Sequence, residues 1–160
     1  SIELDVAKKK STYKENKFLI KWILESEKLN QYNEASRHKQ FFKECCNHKI
    51  LLKKLLLTLK KQNKRILGYG ASTKGNVLLQ FCDISSKLIN CIAEVNKFKF
   101  NKYTPGSKIK IISEEQAKKK KPDFLLVLPW HFKEHIIKRE KKFLKNGGKL
   151  IFPLPDIEIV

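Results

Sequence analysis

The stretch Gly68-Tyr69-Gly70-Ala71-Ser72-Thr73-Lys74-Gly75-Asn76 packs three glycines, two aliphatic hydroxyls and a lysine into nine residues. Such a set is suited to holding an anion. Glycines permit a tight turn and the close approach of a ligand to the backbone, while a helix start offers free N–H groups and the positive end of its dipole. Ser72 adds a hydroxyl and Lys74 a cation to the same place. The spacing excludes a P-loop, because Asn76 and Val77 stand where Lys and Ser/Thr are required. It also departs from the regular dinucleotide fingerprint, since Thr73 occupies the third glycine position. The structural alternative is a glycine turn that binds nothing.

Two further places could complete a site. Glu94 lies nineteen positions after Gly75, at the end of an apolar run, where nucleotide-binding α/β units carry the acid that accepts ribose hydroxyls. Leu128-Pro129-Trp130-His131-Phe132 follows another apolar run and offers an indole face for stacking and an imidazole donor. The alternatives are a solvated strand-end carboxylate for Glu94 and a core plug for Trp130.

The elements that must position these residues alternate strand and helix from residue 64 to 160, the pattern of a parallel α/β sheet. Strands are expected at Arg65–Tyr69, Leu88–Val95, Ile109–Ile112, Asp123–Leu128 and Lys149–Leu154. Helices are expected from Ser72 to Cys82, from Ser113, and from Pro129 to Lys145, the last closed by Asn146-Gly147-Gly148. The expected sheet order is 3-2-1-4-5, so the strands ending at Tyr69 and Leu128 flank the point where the winding reverses and ligands bind. The fold class is thus α/β, a Rossmann-like parallel sheet flanked by helices and preceded by a helical N-terminal segment. That segment covers residues 18–63, with Ser36 as a plausible N-cap of its second helix. Before it, Ile2, Leu4 and Val6 alternate with polar residues as a short strand, followed by a polar connector to residue 17.

Other constellations carry less. His131-Phe132-Lys133-Glu134-His135 matches the H-x-x-E-H zinc pattern, but no further acidic ligand is evident downstream. His38, Cys45, Cys46 and His48 lack finger spacing, so no metal is expected. There is no Ser/His/Asp or Cys/His arrangement, and the chain reads as a binder of a phosphorylated ligand rather than a catalyst of bond chemistry. Cys82 and Cys91, like Cys45 and Cys46, sit in apolar stretches and read as small buried hydrophobes, which with the start of the chain suggests a reducing cytoplasm.

Composition narrows the partners. The 160 residues carry 35 Lys+Arg against 16 Asp+Glu, a formal net charge of +19. A basic domain invites nucleic-acid binding. Yet Arg37, Arg65 and Arg139 are the only arginines, and arginine is the favoured reader of bases and phosphates. Nucleic acid is therefore not the expected partner, and the lysine runs read as solvated faces. No apolar run approaches the roughly 18 residues of a membrane span, so no membrane partner is expected either.

Taken together, GYGASTKGNVLLQF (68–81), IAEVN with KYTPG (92–106), PDFLLVLPWHF (122–132) and GGKLIFPLP (147–155) resemble the C-terminal domain of SAM-dependent C-methyltransferases acting on nucleotide-linked sugars. The resemblance spans residues 18–160. It implies that the chain binds a nucleotide sugar such as a dTDP-sugar, with Ser72, Lys74 and loop amides from Gly68, Gly70, Ala71, Gly75 and Asn76 at the pyrophosphate. Glu94, Tyr103, Trp130 and His131 would line the rest of the crevice. It also implies a SAM-binding domain in cis or on another chain, with residues 1–17 holding the tail of that domain's last strand. S-adenosylmethionine would serve the complete enzyme without binding here. The family's zinc cysteines, SAM-binding glycines and catalytic region have no counterpart, so this chain alone is expected to transfer nothing. Asn96-Lys97-Phe98-Lys99 replaces the family's Asn-Pro-Asp turn. The alternative reading is the NAD(P)-binding domain of an oxidoreductase.

Overall fold

A computed structural model describes residues 6–160; the expected strand at Ile2, Leu4 and Val6 lies, Val6 apart, outside the described residues. The chain forms two compact units, residues 1–45 and 46–160.

In the first unit, α1 (Lys17–Leu29) is capped by Asn16, whose side chain accepts the Leu19 amide. No residue of α1 is buried. Helix α2 (Ala35–Lys61) begins in this unit and ends in the second. Ser36, expected as its N-cap, falls inside the helix, one residue after its start at Ala35.

The second unit is a doubly wound sheet. Its strands are β1 (Ile66–Tyr69), β2 (Cys91–Glu94), β3 (Lys110–Ser113), β4 (Phe124–Val127), β5 (Lys149–Phe152) and β6 (Glu158–Ile159). They lie in the order β3-β2-β1-β4-β5-β6. All neighbouring pairs among β1–β5 are parallel, and β6 joins β5 antiparallel. Strands β1, β2 and β4 are buried at every residue, as a parallel sheet covered on both faces requires.

One face carries α3 (Thr73–Phe81) and the C-terminal half of α2. Leu52, Leu56 and Leu59 of α2, at i, i+4 and i+7, pack with Leu78 and Leu79 of α3 and with Ile66, Ile92 and Leu126 of the sheet. The opposite face carries α4 (Glu114–Lys119), α5 (Lys133–Arg139) and α6 (Lys141–Lys145), with Ala117 and Ile136 set on Leu67, Ala93, Leu125 and Val127. Ser113 and Gln116 close the capping box expected for α4.

Two elements differ from expectation. The single helix from Pro129 to Lys145 is instead a 3₁₀ turn (Trp130–Phe132) followed by α5 and α6. The break falls at Glu140, a residue only 6% exposed whose carboxylate accepts the Tyr69 hydroxyl at 2.9 Å. Strand β6 was not expected. It is two residues long, follows Pro153 and the cis Leu154–Pro155 bond, and is tied down by an ion pair from Lys133 to Glu158.

Because Leu56 is fully buried between helix and sheet, Leu56→Ala is expected to cost about 3 kcal/mol. Leu57→Ala, at the exposed neighbouring position, should cost less than about 0.5 kcal/mol. Urea denaturation of both variants checks the pair; equal losses would contradict this packing.

Candidate functional site

The carboxyl ends of β1, β2 and β4 meet beside the glycine loop, and the geometry there begins with backbone. Gly70 has φ +76°, and a Cβ at this position would stand 2.8 Å from the ring of Pro129. Only glycine fits such a turn without strain. A Cβ on Gly68 would meet Ile92 at 2.6 Å, and one on Gly75 would meet Leu128 at 2.6 Å. Glycines 68 and 75 thus serve the packing of β1 on β2 and of α3 on the end of β4. Ser72 caps α3, its Oγ accepting the Gly75 amide at 3.0 Å while donating to the Leu128 carbonyl at 3.3 Å. The Ser72 hydroxyl is thereby committed within the protein. The amides of Thr73 and Lys74, at the first two helical positions, have no intrahelical acceptor, as at any helix start.

Glu94, 8% exposed, binds the loop to the end of β2. Its Oε1 accepts the amides of Val95 (2.8 Å) and Asn96 (3.0 Å). Its Oε2 accepts the amide of Ala71 at 2.9 Å and lies 3.5 Å from the Lys99 ammonium. Lys99 also donates to the Ala71 carbonyl at 2.8 Å. A carboxylate offers about four lone-pair sites; three here accept amides, and both oxygens are engaged within the protein. Burial pushes the carboxyl's pKa up, but the Asn96 and Val95 amides, the Lys99 charge and the Ala71 amide outweigh it and hold the group below its ordinary value. Glu94 stays ionised, yet has no free oxygen for a ribose diol.

A cavity of about 260 Å³ opens here, walled by the loop residues Gly70–Ser72 and by Glu94 and Lys99 on one side. Pro129, Phe132, His135 and Arg139 form the other side. Arg139 bonds Glu114 at 2.6 Å and lies 5.9 Å from the centre of the Tyr69 ring. Tyr69 itself is held protonated: burial, and then its bond to Glu140, push its pKa well up. Tyr69, Ala93, Glu114 and Arg139 also border a larger groove of about 720 Å³ between α4 and α5–α6. Lys118, Lys121 and Lys142 stand on the rim of that groove.

Of the residues singled out from sequence, Gly70, Ala71, Ser72 and Glu94 line the smaller cavity; Gly68, Lys74, Gly75, Asn76, Tyr103, Trp130 and His131 do not. Lys74 is exposed on the first turn of α3. Asn76 points inward, its Oδ1 buried without a hydrogen-bond partner among the described residues. Tyr103 is exposed and bridges Lys110 at the edge of β3. Trp130 is half-buried and packs on the cores of both sheet faces, while the exposed His131 lies against Phe132 with ring centres 4.3 Å apart. Lys99, Phe132, His135 and Arg139 were not read from sequence as lining residues. Arg139 carried one signal, as one of three arginines in a lysine-rich chain. Among the described residues, no group of three or more His, Cys, Asp or Glu is placed to hold a metal ion. No helix of the described residues is long and apolar enough to cross a membrane.

If Glu94 is the clasp of the loop, Glu94→Gln is expected to cost about 2 kcal/mol at pH 7, because an amide NH₂ then faces donors. The sign with pH follows from the depressed pKa. The carboxylate's contribution is complete above the ordinary value of 4.5 and is lost as the pH falls through the lower folded value. Denaturation of both proteins from pH 7 downward should show the gap between them closing in that acid range. A gap that stayed constant would contradict the role.

Comparison with known proteins agrees with this architecture. Residues 1–155 match the family described as C-methyltransferase C-terminal domain. The C-methyltransferase NovU of Streptomyces niveus is 38% identical over 109 residues, which are 68% of this chain and 26% of that protein. The matched stretch thus spans about a quarter of the length of this curated relative. With strands β1–β5 and the glycine loop inside the matched residues, the chain belongs to the C-methyltransferase C-terminal domain family.

Proposed function

We propose that this chain is the substrate-holding part of a SAM-dependent enzyme that methylates a carbon of a nucleotide-linked sugar. The observation that carries the reading is the crevice itself. A helix start, a glycine turn with φ +76° and two cationic side chains, Lys99 and Arg139, converge where a doubly wound sheet binds ligands. The pyrophosphate would lie against the amides of Thr73 and Lys74, within reach of the flexible Lys74 ammonium. Sugar or base would extend past Arg139 into the groove, whose 720 Å³ is in the usual range for a ligand of this size.

The state of Glu94 favours this reading over a dinucleotide or SAM site in the same place. Recognition of an adenosine ribose at the end of β2 calls for a carboxylate with free oxygens, and Glu94 spends all of its own on Ala71, Val95, Asn96 and Lys99. The methyl group would come from SAM held by a separate domain. In this chain Glu94 acts on the substrate only through the loop that it fixes, and the protonated Tyr69, engaged with Glu140, serves as floor rather than as a base.

Calorimetric titration with dTDP- and UDP-sugars, with NAD and SAM in parallel, tests the proposal. A nucleotide sugar should bind, and Lys74→Ala should weaken it about tenfold, the loss of one charge-assisted contact. NAD and SAM should give no heat. Binding of NAD in preference to every nucleotide sugar would overturn the assignment.

A further inference from the structure

Two cations, Lys99 and Arg139, face the smaller cavity, and a carboxylate already occupies each. Lys99 lies 3.5 Å from Glu94, and Arg139 bonds Glu114 at 2.6 Å. The two carboxylates are held very differently. Glu94 accepts three backbone amides besides facing Lys99, and it fixes the glycine loop. Glu114 accepts from Arg139 and, among the described residues, from no other donor. A ligand that took Lys99 from Glu94 would therefore undo the loop, whereas one that took Arg139 from Glu114 would break a single contact. Arg139 has other neighbours to keep it in place. Its guanidinium lies 5.9 Å from the centre of the Tyr69 ring, and its Nε is 3.9 Å from the Glu140 carboxylate. Glu114 borders the open groove as well as the cavity, so a released carboxylate can turn into water.

We infer that Glu114 is an internal stand-in for the ligand's phosphate: it occupies Arg139 in the free chain and yields it to a diphosphate on binding. The inference deepens the reading above, on which it rests for the nucleotide-sugar identity of that ligand. A carboxylate and a phosphate present a similar pair of oxygens to the planar guanidinium fork, so one can replace the other without moving Arg139. The Arg139 side chain is 40% exposed against 18% for Glu114, which leaves the cation open to an incoming anion. The exchange also sets specificity. Breaking the pair leaves a partly buried carboxylate without its partner, a cost that only an anionic group on the ligand offsets. A nucleoside without phosphate supplies no such group. It leaves the pair closed, and with it the passage between cavity and groove that Arg139 and Glu114 both line.

The test follows the Arg139 side-chain Nε–H by NMR while the 160-residue chain is titrated with dTDP-glucose, inorganic pyrophosphate or thymidine, and calorimetry supplies the affinities. The Arg139 signal should move with the first two ligands and ignore thymidine. Glu114→Gln should tighten both anions about fivefold, the size of a partly exposed ion pair that no longer has to be broken. Arg139→Ala should weaken them about tenfold, and adding Glu114→Gln to Arg139→Ala should change nothing further. A tightening that persists without Arg139 would overturn the inference, because Glu114 would then act only as a repulsive charge. Weaker anion binding by Glu114→Gln would overturn it too, as would an Arg139 signal that stays still while dTDP-glucose binds; the nucleotide-sugar reading survives both results. If pyrophosphate moves Arg139 but dTDP-glucose binds no more tightly than pyrophosphate, the exchange stands and the nucleotide-sugar reading falls. Silence toward both anions would overturn the two together.

Discussion

Glu94 joins the carboxyl end of β2 to the loop after β1 by accepting three backbone amides and facing one ammonium, and the shape of the crevice follows from that bond set. The Ala71 amide is drawn toward β2, so Gly70 must turn with positive φ and Ser72 is set at the cap of α3. Each of those consequences has its own steric requirement: no Cβ at 70 beside Pro129, none at 68 beside Ile92, none at 75 beside Leu128. The carboxylate is worth this degree of coordination because unpaired amides and a lone charge would be costly at such burial. Lys99 closes the set by bridging Glu94 and the Ala71 carbonyl. Asn96 holds its segment by capping the 3₁₀ turn Lys97–Lys99 with its own side chain.

A second polar group organises the far wall. Glu140 is buried under β1, accepts the Tyr69 hydroxyl, and lies 3.9 Å from the Arg139 Nε, so the break between α5 and α6 and the position of Arg139 share one cause. Arg139 in turn bonds Glu114 at the start of α4. That contact spans the gap where the crossover reverses, between the smaller cavity and the groove. A ligand extending from one to the other would have to pass this pair. Charge-assisted contacts of arginine with phosphate or carboxylate are strong and directional, so the pair is also where a bound anion would compete with Glu114.

The strands were legible because parallel strands buried on both faces read as short apolar runs: ILGY, CIAE and FLLV all stand within the expected stretches. The strand–turn–helix context of the glycines was legible for the same reason. What Glu94 does was not, since its partners Ala71 and Lys99 lie on either side of it in sequence and only the fold shows them converging. Its position at a strand end suggested a ligand contact, whereas its hydrogen bonds are internal. Lys99 was hidden among many lysines, and the split at Glu140 was masked by a continuous helical pattern from Lys133 to Lys145. Trp130 was read as a stacking plane or a plug, and it packs on both cores. Strand β6 is too short for any periodicity to announce.

The account turns on the glycine loop as the place where a nucleotide sugar binds. The most direct measurement is amide NMR of the labelled chain during titration with a dTDP-sugar. Shift changes centred on Gly70–Lys74, spreading to Lys99 and Arg139, are the result the account requires. Changes confined to the lysine runs at Lys8–Lys10 and Lys118–Lys121, with the loop silent, would contradict it and would make the charge of the chain, rather than its crevice, the source of binding.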